Sequence, residues 1–552
     1  MEKIWLKHYQ PSVPEVINPD SYESLLDIFA ESCNQYADKP ALANLGQQIT
    51  YREWETLSKH FATFLQQSLG LAKGTRIAIM LPNTLQYPIA LFGAFLAGLT
   101  IVNVNPLYTI PEIEYQLNDS GVEVILVLAN FAHVLEKALP KTQVKHVVVT
   151  ELGDLFSFPK KQFVNFFVKY IKKMVPDWHI PHAIKFTDAM LKGKQQILKP
   201  IKLTREDIAF LQYTGGTTGI AKGAILTHRN MIANLLQAEV WVSPVCKKGE
   251  EIIITALPLY HIFSLTANLL TFTRFGALNV LITNPRDIPH FINELKKFSF
   301  TAITGVNTLF NALLNHPEFS KLDFSHLKVC LGGGMAVQQV VAERWKTITG
   351  TPLIEAYGLT ETSPAACINP FDIPKYNGTV GLPISSTEVS IRDEKNQELG
   401  CNEAGELCIK GPQVMKGYWN NPSETKNVFT EDGWLKTGDI AIIDDQGFVH
   451  IVDRKKDMII VSGFNVYPNQ VEAVIASYPG VNEVAVVGIP DGSSGEIVKA
   501  FIVKKDPLLT VEAITHFCRE NLTAYKIPKI IEFRDELPKT NVGKILRRAL
   551  KE

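Results

Sequence analysis

The chain reads as an α/β protein: a large N-terminal domain of parallel-type sheets with helices plus a small β-rich subdomain, then a smaller α+β C-terminal domain. Three observations predict this. Strand-like apolar runs alternate with helix-like segments over residues 76–128 and again over 251–310, as when helices connect the strands of a parallel sheet. From about residue 388 to 453 short runs, such as Val389-Ser-Ile391, Gly405-Glu-Leu-Cys-Ile-Lys410 and Gly447-Phe-Val-His-Ile-Val452, are separated by Gly, Asn and Asp, the look of a small β-rich unit. Beyond Asp453-Arg-Lys-Lys-Asp457 the pattern becomes βαβ-like, and residues 458–552 are enough for a separate domain. The expected division is 1–452, a short basic connector at 453–457, and 458–552.

Residues 21–40 carry Leu25, Leu26, Ile28, Phe29 and Cys33 at helical spacing before Asp38-Lys39-Pro40. Ile49-Thr-Tyr-Arg-Glu-Trp54 opens a second helix running to about Leu69. Then come a strand at 76–81, a helix at 85–97 and a strand at 100–104. A helix at 111–117 has proline at its entry, where a missing N–H is tolerated, and a strand follows at 122–128. Further strands fall at 208–211, 252–255, 278–282, 300–304 and 327–331, and in the last domain at 484–487, 500–503 and 530–533. The apolar region 88–104 is interrupted by Gly93, Gly98 and Asn103, and reads as a buried helix and strand rather than a membrane span.

An apolar content of 46% and a charged content of 20% suit a folded globular chain, and 552 residues allow several domains. A formal net charge of −1 offers no whole-chain argument for nucleic acid. The cysteines, Cys33, Cys246, Cys330, Cys367, Cys401, Cys408 and Cys518, include no CxxC pair. Their odd, dispersed set points to a reducing compartment and away from disulfides or a zinc site. The opening Met-Glu-Lys-Ile-Trp-Leu-Lys-His lacks the apolar core of a signal peptide, so a cytoplasmic location is expected.

The chemistry concentrates first in residues 213–224, Tyr-Thr-Gly-Gly-Thr-Thr-Gly-Ile-Ala-Lys-Gly-Ala. This stretch follows the strand at 208–211 and leads toward a helix entered near Thr227. Its backbone N–H groups and hydroxyls can wrap a polyphosphate, with Lys222 adding a point charge. It is not a Walker A loop: Ala221 stands where the second glycine is needed, and Gly223 where Ser or Thr would hold magnesium. Taken alone, the stretch fits a plain glycine-rich turn equally well.

Four more motifs follow in order: Tyr357-Gly-Leu-Thr-Glu361, Leu435-Lys-Thr-Gly-Asp439, Asp453-Arg454 and Pro538-Lys-Thr-Asn-Val-Gly-Lys544. With residues 213–224 they resemble the adenylate-forming superfamily of acyl-CoA synthetases, luciferases and peptide-synthetase adenylation domains. Residues 432–440 and 461–468 narrow the likeness to the bacterial long-chain fatty-acid–CoA ligases, over nearly the whole chain. The resemblance implies ATP-dependent activation of a long-chain fatty acid to acyl-AMP with release of pyrophosphate, then transfer to CoA. Fatty acid, ATP, Mg2+ and CoA are the partners it implies.

Carried over by position, Thr214, Gly215, Gly216, Thr217, Thr218, Gly219 and Lys222 would hold the β- and γ-phosphates. Gly332-Gly333-Gly334 would let the backbone approach adenine. Tyr357, followed by Gly358, would stack on the base, and Thr360 would reach the α-phosphate. Glu361, with Thr214, is the expected Mg2+ ligand. Asp439 would accept from both ribose hydroxyls, with Arg454 on ribose or phosphate. Lys544 would be the mobile lysine bridging substrate carboxylate and α-phosphate, a task suited to a compact charge on a flexible stem. His261, in Pro258-Leu-Tyr-His-Ile-Phe263, is assigned a positioning role at the acyl pocket and no acid–base duty. The acyl group is expected near Gly305-Val-Asn-Thr308, Phe310, Gly332 to Gly334 and the segment after His261. Lys456, two residues beyond Arg454, would be the hinge about which a mobile C-terminal domain turns between half-reactions. Rival outcomes are transfer to a carrier-protein thiol, transfer to oxygen as in luciferases, and a non-catalytic acyl-nucleotide-binding regulator. Intact Lys544 and Glu361 argue against the last.

Residues 160–174 carry a pattern of their own. On a helix Phe163, Phe166, Phe167, Tyr170, Ile171 and Met174 share one face, with Lys161, Lys169 and Lys172 on the other. The pattern suits an interfacial helix on an anionic membrane, which would make the protein peripheral on the inner face. An ordinary surface helix packed on the core is the favoured expectation. Association as a homodimer is also entertained.

Overall fold

The alternation at 76–128 closes into a sheet in which strand Arg76–Met80 lies between Thr100–Asn103 and Val124–Leu128, all parallel. The structure, a computed structural model, describes residues 2–214, 221–491, 494–540 and 543–551. The sheet extends through His146–Thr150 to Ile184–Lys185 on one side and through Ile208–Thr214 to Lys222–Thr227 on the other, seven strands in all. The last pair is antiparallel. The glycine-rich stretch therefore joins two strands of a hairpin, and the helix begins only at His228–Val242. Lys222–Thr227 has too short an apolar run to announce itself as a strand; it is defined by pairing with Ile208–Thr214.

A second sheet of nine strands has a parallel centre running from Ile354–Gly358 through Val329–Gly333, Ala302–Gly305, Ile252–Thr255 and Leu278–Leu281 to Pro40–Asn44. Antiparallel strands finish both edges. Helix Gln86–Leu96 lies between the two sheets. It is buried from Gln86 through Phe95, and shares one apolar cluster with Leu42 and Ile49 of one sheet and Ile77, Ile101 and Phe210 of the other. A helix apolar all round must be enclosed in this way. Helix starts follow local signals: Thr50 with Glu53 and Thr109 with Glu112 form capping boxes at Tyr51–Thr63 and Ile110–Ser120.

The β-rich stretch is a four-stranded antiparallel sheet, Glu388–Arg392, Gly405–Lys410, Leu435–Ile443 and Val449–Arg454. The small unit beyond it has its own core, including Val471, Ile475, Val486, Ile502 and Ile514. Its strands Val481–Asp491 and Gly495–Lys504 form a long antiparallel hairpin rather than a crossover. Helix Val511–Asn521 then carries the chain to Ile530–Arg534, parallel to Gly495–Lys504.

Helix Lys160–Phe166 continues as a π-helical turn, Phe167–Ile171. The core-packing expectation fails here: Phe163 is 68% exposed, Tyr170 58% and Ile171 59%. Of this helix's described residues, Val164 alone reaches the main apolar cluster, and polar contacts fasten the same side. Lys160 Nζ donates to Leu45 O at 2.6 Å, and Asn165 accepts from Gly153 N at 2.7 Å and donates to Glu151 at 2.9 Å. Among the described residues, no helix is long and apolar enough to cross a membrane.

Candidate active site

A cleft of about 2200 Å3 lies where the small domain docks on the large one, and both supply its walls. On one wall, strand Ile354–Gly358 runs out into a short turn, Thr360–Thr362. Tyr357, Gly358, Thr360 and Glu361 thereby all border the cleft. The Tyr357 hydroxyl donates to Asp439 Oδ2 at 2.5 Å, and Asp439 Oδ1 lies 3.3 Å from Arg454 Nε. Antiparallel pairing sets Asp439 directly opposite Arg454. Burial pushes the Asp439 carboxyl above the ordinary range, and Arg454 draws it back. Next to an aromatic ring, this carboxylate offers an acceptor able to receive two hydroxyls.

Thr214 ends its strand directly opposite Lys222, so the hairpin presents a hydroxyl and an ammonium side by side at the cleft. Tyr213 is anchored by donating to Asp119 Oδ2 at 2.5 Å. Gly215, Gly216, Thr217, Thr218 and Gly219 lie outside the described residues. Gly333 and Gly334 line the cleft, whereas Gly332 is not among its lining residues: a Cβ there would meet Val337 Cγ2 at 2.7 Å. Gly334 has φ +77, and a Cβ on it would come within 3.2 Å of Lys544 Cε. Both backbone conformation and space therefore call for glycine at that point.

Lys544 enters from the small domain. Thr308 donates its hydroxyl to Gly543 O at 3.0 Å, and Lys544 N donates to Thr540 Oγ1 at 3.1 Å. Burial, then the Arg454 charge, lowers the Lys544 ammonium to about 8, against the pull of Asp439 and Glu361. His261 caps the turn at Ile262–Ser264 by accepting from Phe263 N at 3.3 Å. Burial and the nearby Lys544 charge lower it to about 3, so the ring is neutral near pH 7 and unsuited to shuttling protons there. Thr304, Asn307 and Thr308 border the same cleft, while Phe310 is fully buried behind it against Trp345.

Lys456 sits in a tight turn in which Asp457 N donates to Arg454 O at 3.0 Å and Lys455 N to Gly438 O at 3.0 Å. Arg547 ties this turn to the small domain. It lies 3.5 Å from Asp453 and from Asp457, and 2.8 Å from Glu472. Tyr418 and Glu424 were not singled out from the sequence. The Tyr418 hydroxyl donates to Glu361 Oε1 at 2.6 Å, and Glu424 forms an ion pair with Lys222. Their partners lie 57 and 202 residues away, and Gly417-Tyr-Trp-Asn-Asn-Pro has only the look of a turn.

Among the described residues no three acidic, His or Cys side chains gather as a metal cage. Glu361 and the Thr214 hydroxyl both border the cleft. That donor set fits Mg2+, which is commonly held by one or two carboxylates plus substrate phosphates.

The chain matches the AMP-binding enzyme family over residues 29–419 and the AMP-binding enzyme C-terminal domain over 470–544. It is 58% identical to the long-chain-fatty-acid–CoA ligase of Escherichia coli O6:H1 over 553 residues, covering 100% of this chain and 98% of the relative. It is 52% identical to the Haemophilus influenzae protein of the same name, with the same coverage. Among solved structures, anthranilate CoA ligase AuaEII in complex with anthranoyl-AMP superposes with a TM-score of 0.85 at 27% identity, covering 97% of this chain and 98% of that one. With the family matched across most of its length and the ordered motifs meeting at one cleft, the chain belongs to the AMP-binding enzymes.

Proposed function

We propose that the protein is an ATP- and Mg2+-dependent long-chain fatty-acid–CoA ligase. It activates the acid to acyl-AMP with release of pyrophosphate, and then transfers the acyl group to CoA. The observation that carries this is the Lys544 ammonium, lining the cleft within electrostatic reach of Arg454, Asp439 and Glu361. A carboxylate resists nucleophilic attack because its charge and resonance disfavour it. Joining it to AMP supplies a good leaving group, but first two anions must meet, so aimed cations must offset their repulsion. Lys544 bridges carboxylate and α-phosphate. Asp439 accepts from the ribose hydroxyls, Tyr357 packs on the base, and Arg454 adds a contact on the ribose or phosphate side. Thr214, Thr360 and Lys222 donate to the phosphates, and Gly333 and Gly334 admit the nucleotide closely. Glu361, with Thr214, would hold Mg2+, which would supply further charge neutralisation. His261 orients the segment at the acyl pocket.

The working division is 1–452, a hinge at 453–457 centred on Lys456, and a mobile 458–552 carrying Lys544. A panel of fatty acids from short to long, assayed for pyrophosphate release with and without CoA, tests the proposal. Long chains should give pyrophosphate, and acyl-CoA should form only when free CoA is added. Release without use of free CoA would favour a carrier-protein thiol as acceptor, and no release would favour a regulator that only binds acyl nucleotide.

The segment 160–174, helical only as far as Ile171, is proposed to touch an anionic membrane surface from which fatty acid arrives, with the protein otherwise cytoplasmic and on the inner face. Support comes from the outward aromatic face, extended by Phe158 at 82% exposure, and from the lysines beside it. Pairing of two copies is a separate proposal, read by sedimentation velocity.

A further inference from the structure

The free edge of strand Lys222–Thr227 is taken by residues 416–419. Ile225 N donates to Gly417 O at 2.9 Å, Lys416 N to Ile225 O at 3.2 Å, and Trp419 N to Gly223 O at 2.7 Å. This added strand sets the Tyr418 ring 5.3 Å from Lys222 Nζ while its hydroxyl binds Glu361. The chain then turns into helix Pro422–Val428, capped by Asn421, whose side chain accepts from Glu424 N at 3.1 Å. Tyr418 N donates to Thr425 Oγ1 at 2.8 Å, and Asn427 Nδ2 donates to Glu424 Oε1 at 3.2 Å. Glu424 is thus held facing Lys222 and pairs with it, with the Lys222 side chain 29% exposed and that of Glu424 35%.

A lysine that grips terminal phosphates faces a product problem. Pyrophosphate keeps the charges that made ATP bind, so a cation tuned only for capture would hold it back. A carboxylate within reach of the same ammonium is a rival partner and a like charge to the phosphate. We propose that Glu424 is a positioning residue for pyrophosphate release: it competes with the phosphates for Lys222 and takes the ammonium back as the product leaves. Tyr418 keeps Lys222 and Glu361 at a set separation while this exchange occurs. The inference rests on Lys222 being a phosphate ligand, as proposed above.

The experiment is calorimetric titration of Mg2+–pyrophosphate into the full chain, for the unaltered protein, Glu424→Gln, Lys222→Ala and the double variant. Glu424→Gln keeps shape and capping but loses charge, and should bind pyrophosphate about two- to fivefold tighter, the scale of a partly exposed ion pair. Pyrophosphate should inhibit its adenylation step correspondingly more strongly. In the Lys222→Ala background the substitution should add little, because the contest needs the lysine. Unchanged or weaker binding by Glu424→Gln overturns the inference, as does equal tightening with and without Lys222, which would mean plain charge repulsion. Undiminished binding by Lys222→Ala alone would overturn the phosphate-ligand assignment beneath it.

Discussion

Lys544 concentrates the chemistry at the scale of one residue. Buried beside Arg454, its ammonium is lowered to about 8, yet bridging two anions requires the protonated form. The charged form exists below that value and is lost above it. The kcat/KM of the adenylation step should therefore fall as pH rises through about 8. Lys544→Arg, whose guanidinium stays charged, should lose that alkaline limb while running slower at neutral pH. Removing the charge in Lys544→Ala should cost on the order of 10²–10³ in adenylation rate and spare CoA attack on supplied acyl-adenylate. Near-normal pyrophosphate formation by Lys544→Ala, or an unaltered alkaline limb in Lys544→Arg, would remove Lys544 from the assigned role.

At the scale of an element, the helix Lys160–Phe166 with its continuation Phe167–Ile171 is fastened by polar contacts at Lys160 and Asn165 while its aromatic side faces outward. Burying a phenylalanine side chain contributes about 1.5–3 kcal/mol. Phe166→Ser with Phe167→Ser should therefore lower partitioning onto anionic vesicles by about tenfold or more. Lys169→Glu with Lys172→Glu should weaken it chiefly at low salt, at about 1 kcal/mol per lysine. Activity on dispersed fatty acid should survive in both. If the unaltered protein fails to co-sediment with such vesicles at low salt, the helix has no lipid role.

Across the whole molecule, two partners must reach one acyl carbon. Lys544 lines the cleft and Gly543 is held by Thr308, an arrangement that suits the adenylation step proposed above. In the proposed mechanism an incoming thiol needs a different approach, which the proposed turn of the domain about 453–457 would provide. Proline fixes φ near −65° and removes the N–H, restricting that turn at Lys456. Lys456→Pro should largely keep pyrophosphate formation and lose acyl-CoA formation, the reverse of Lys544→Ala. Single-turnover assays of each half-reaction on the folded variant decide it. Equal loss of both steps would indicate general damage, and equal retention would move the pivot elsewhere.

Much of this was written locally in the chain. The strands near 76–81, 100–104 and 122–128 were legible because apolar runs bounded by turn residues need few distant partners to declare themselves. The helix opening at Ile49-Thr-Tyr-Arg-Glu-Trp54 was legible because start signals are local: Thr50 and Glu53, which cap it, are three residues apart. The ordered motifs brought Tyr357, Glu361, Asp439, Arg454 and Lys544 to attention before any fold was known, and they meet at one cleft. Other features depended on the assembled sheets. Strand Lys222–Thr227, the grip of Tyr418 on Glu361 and the pairing of Glu424 with Lys222 arise because residues 416–419 find a free strand edge. The outward turn of Phe163 and Tyr170 was equally hidden, since spacing defines a helix face but not what that face meets. The sequence by itself determined which motifs are candidates for the chemistry and where many regular elements begin; only tertiary structure decided which edges stay open and which faces meet solvent, because those depend on contacts between residues far apart in the chain.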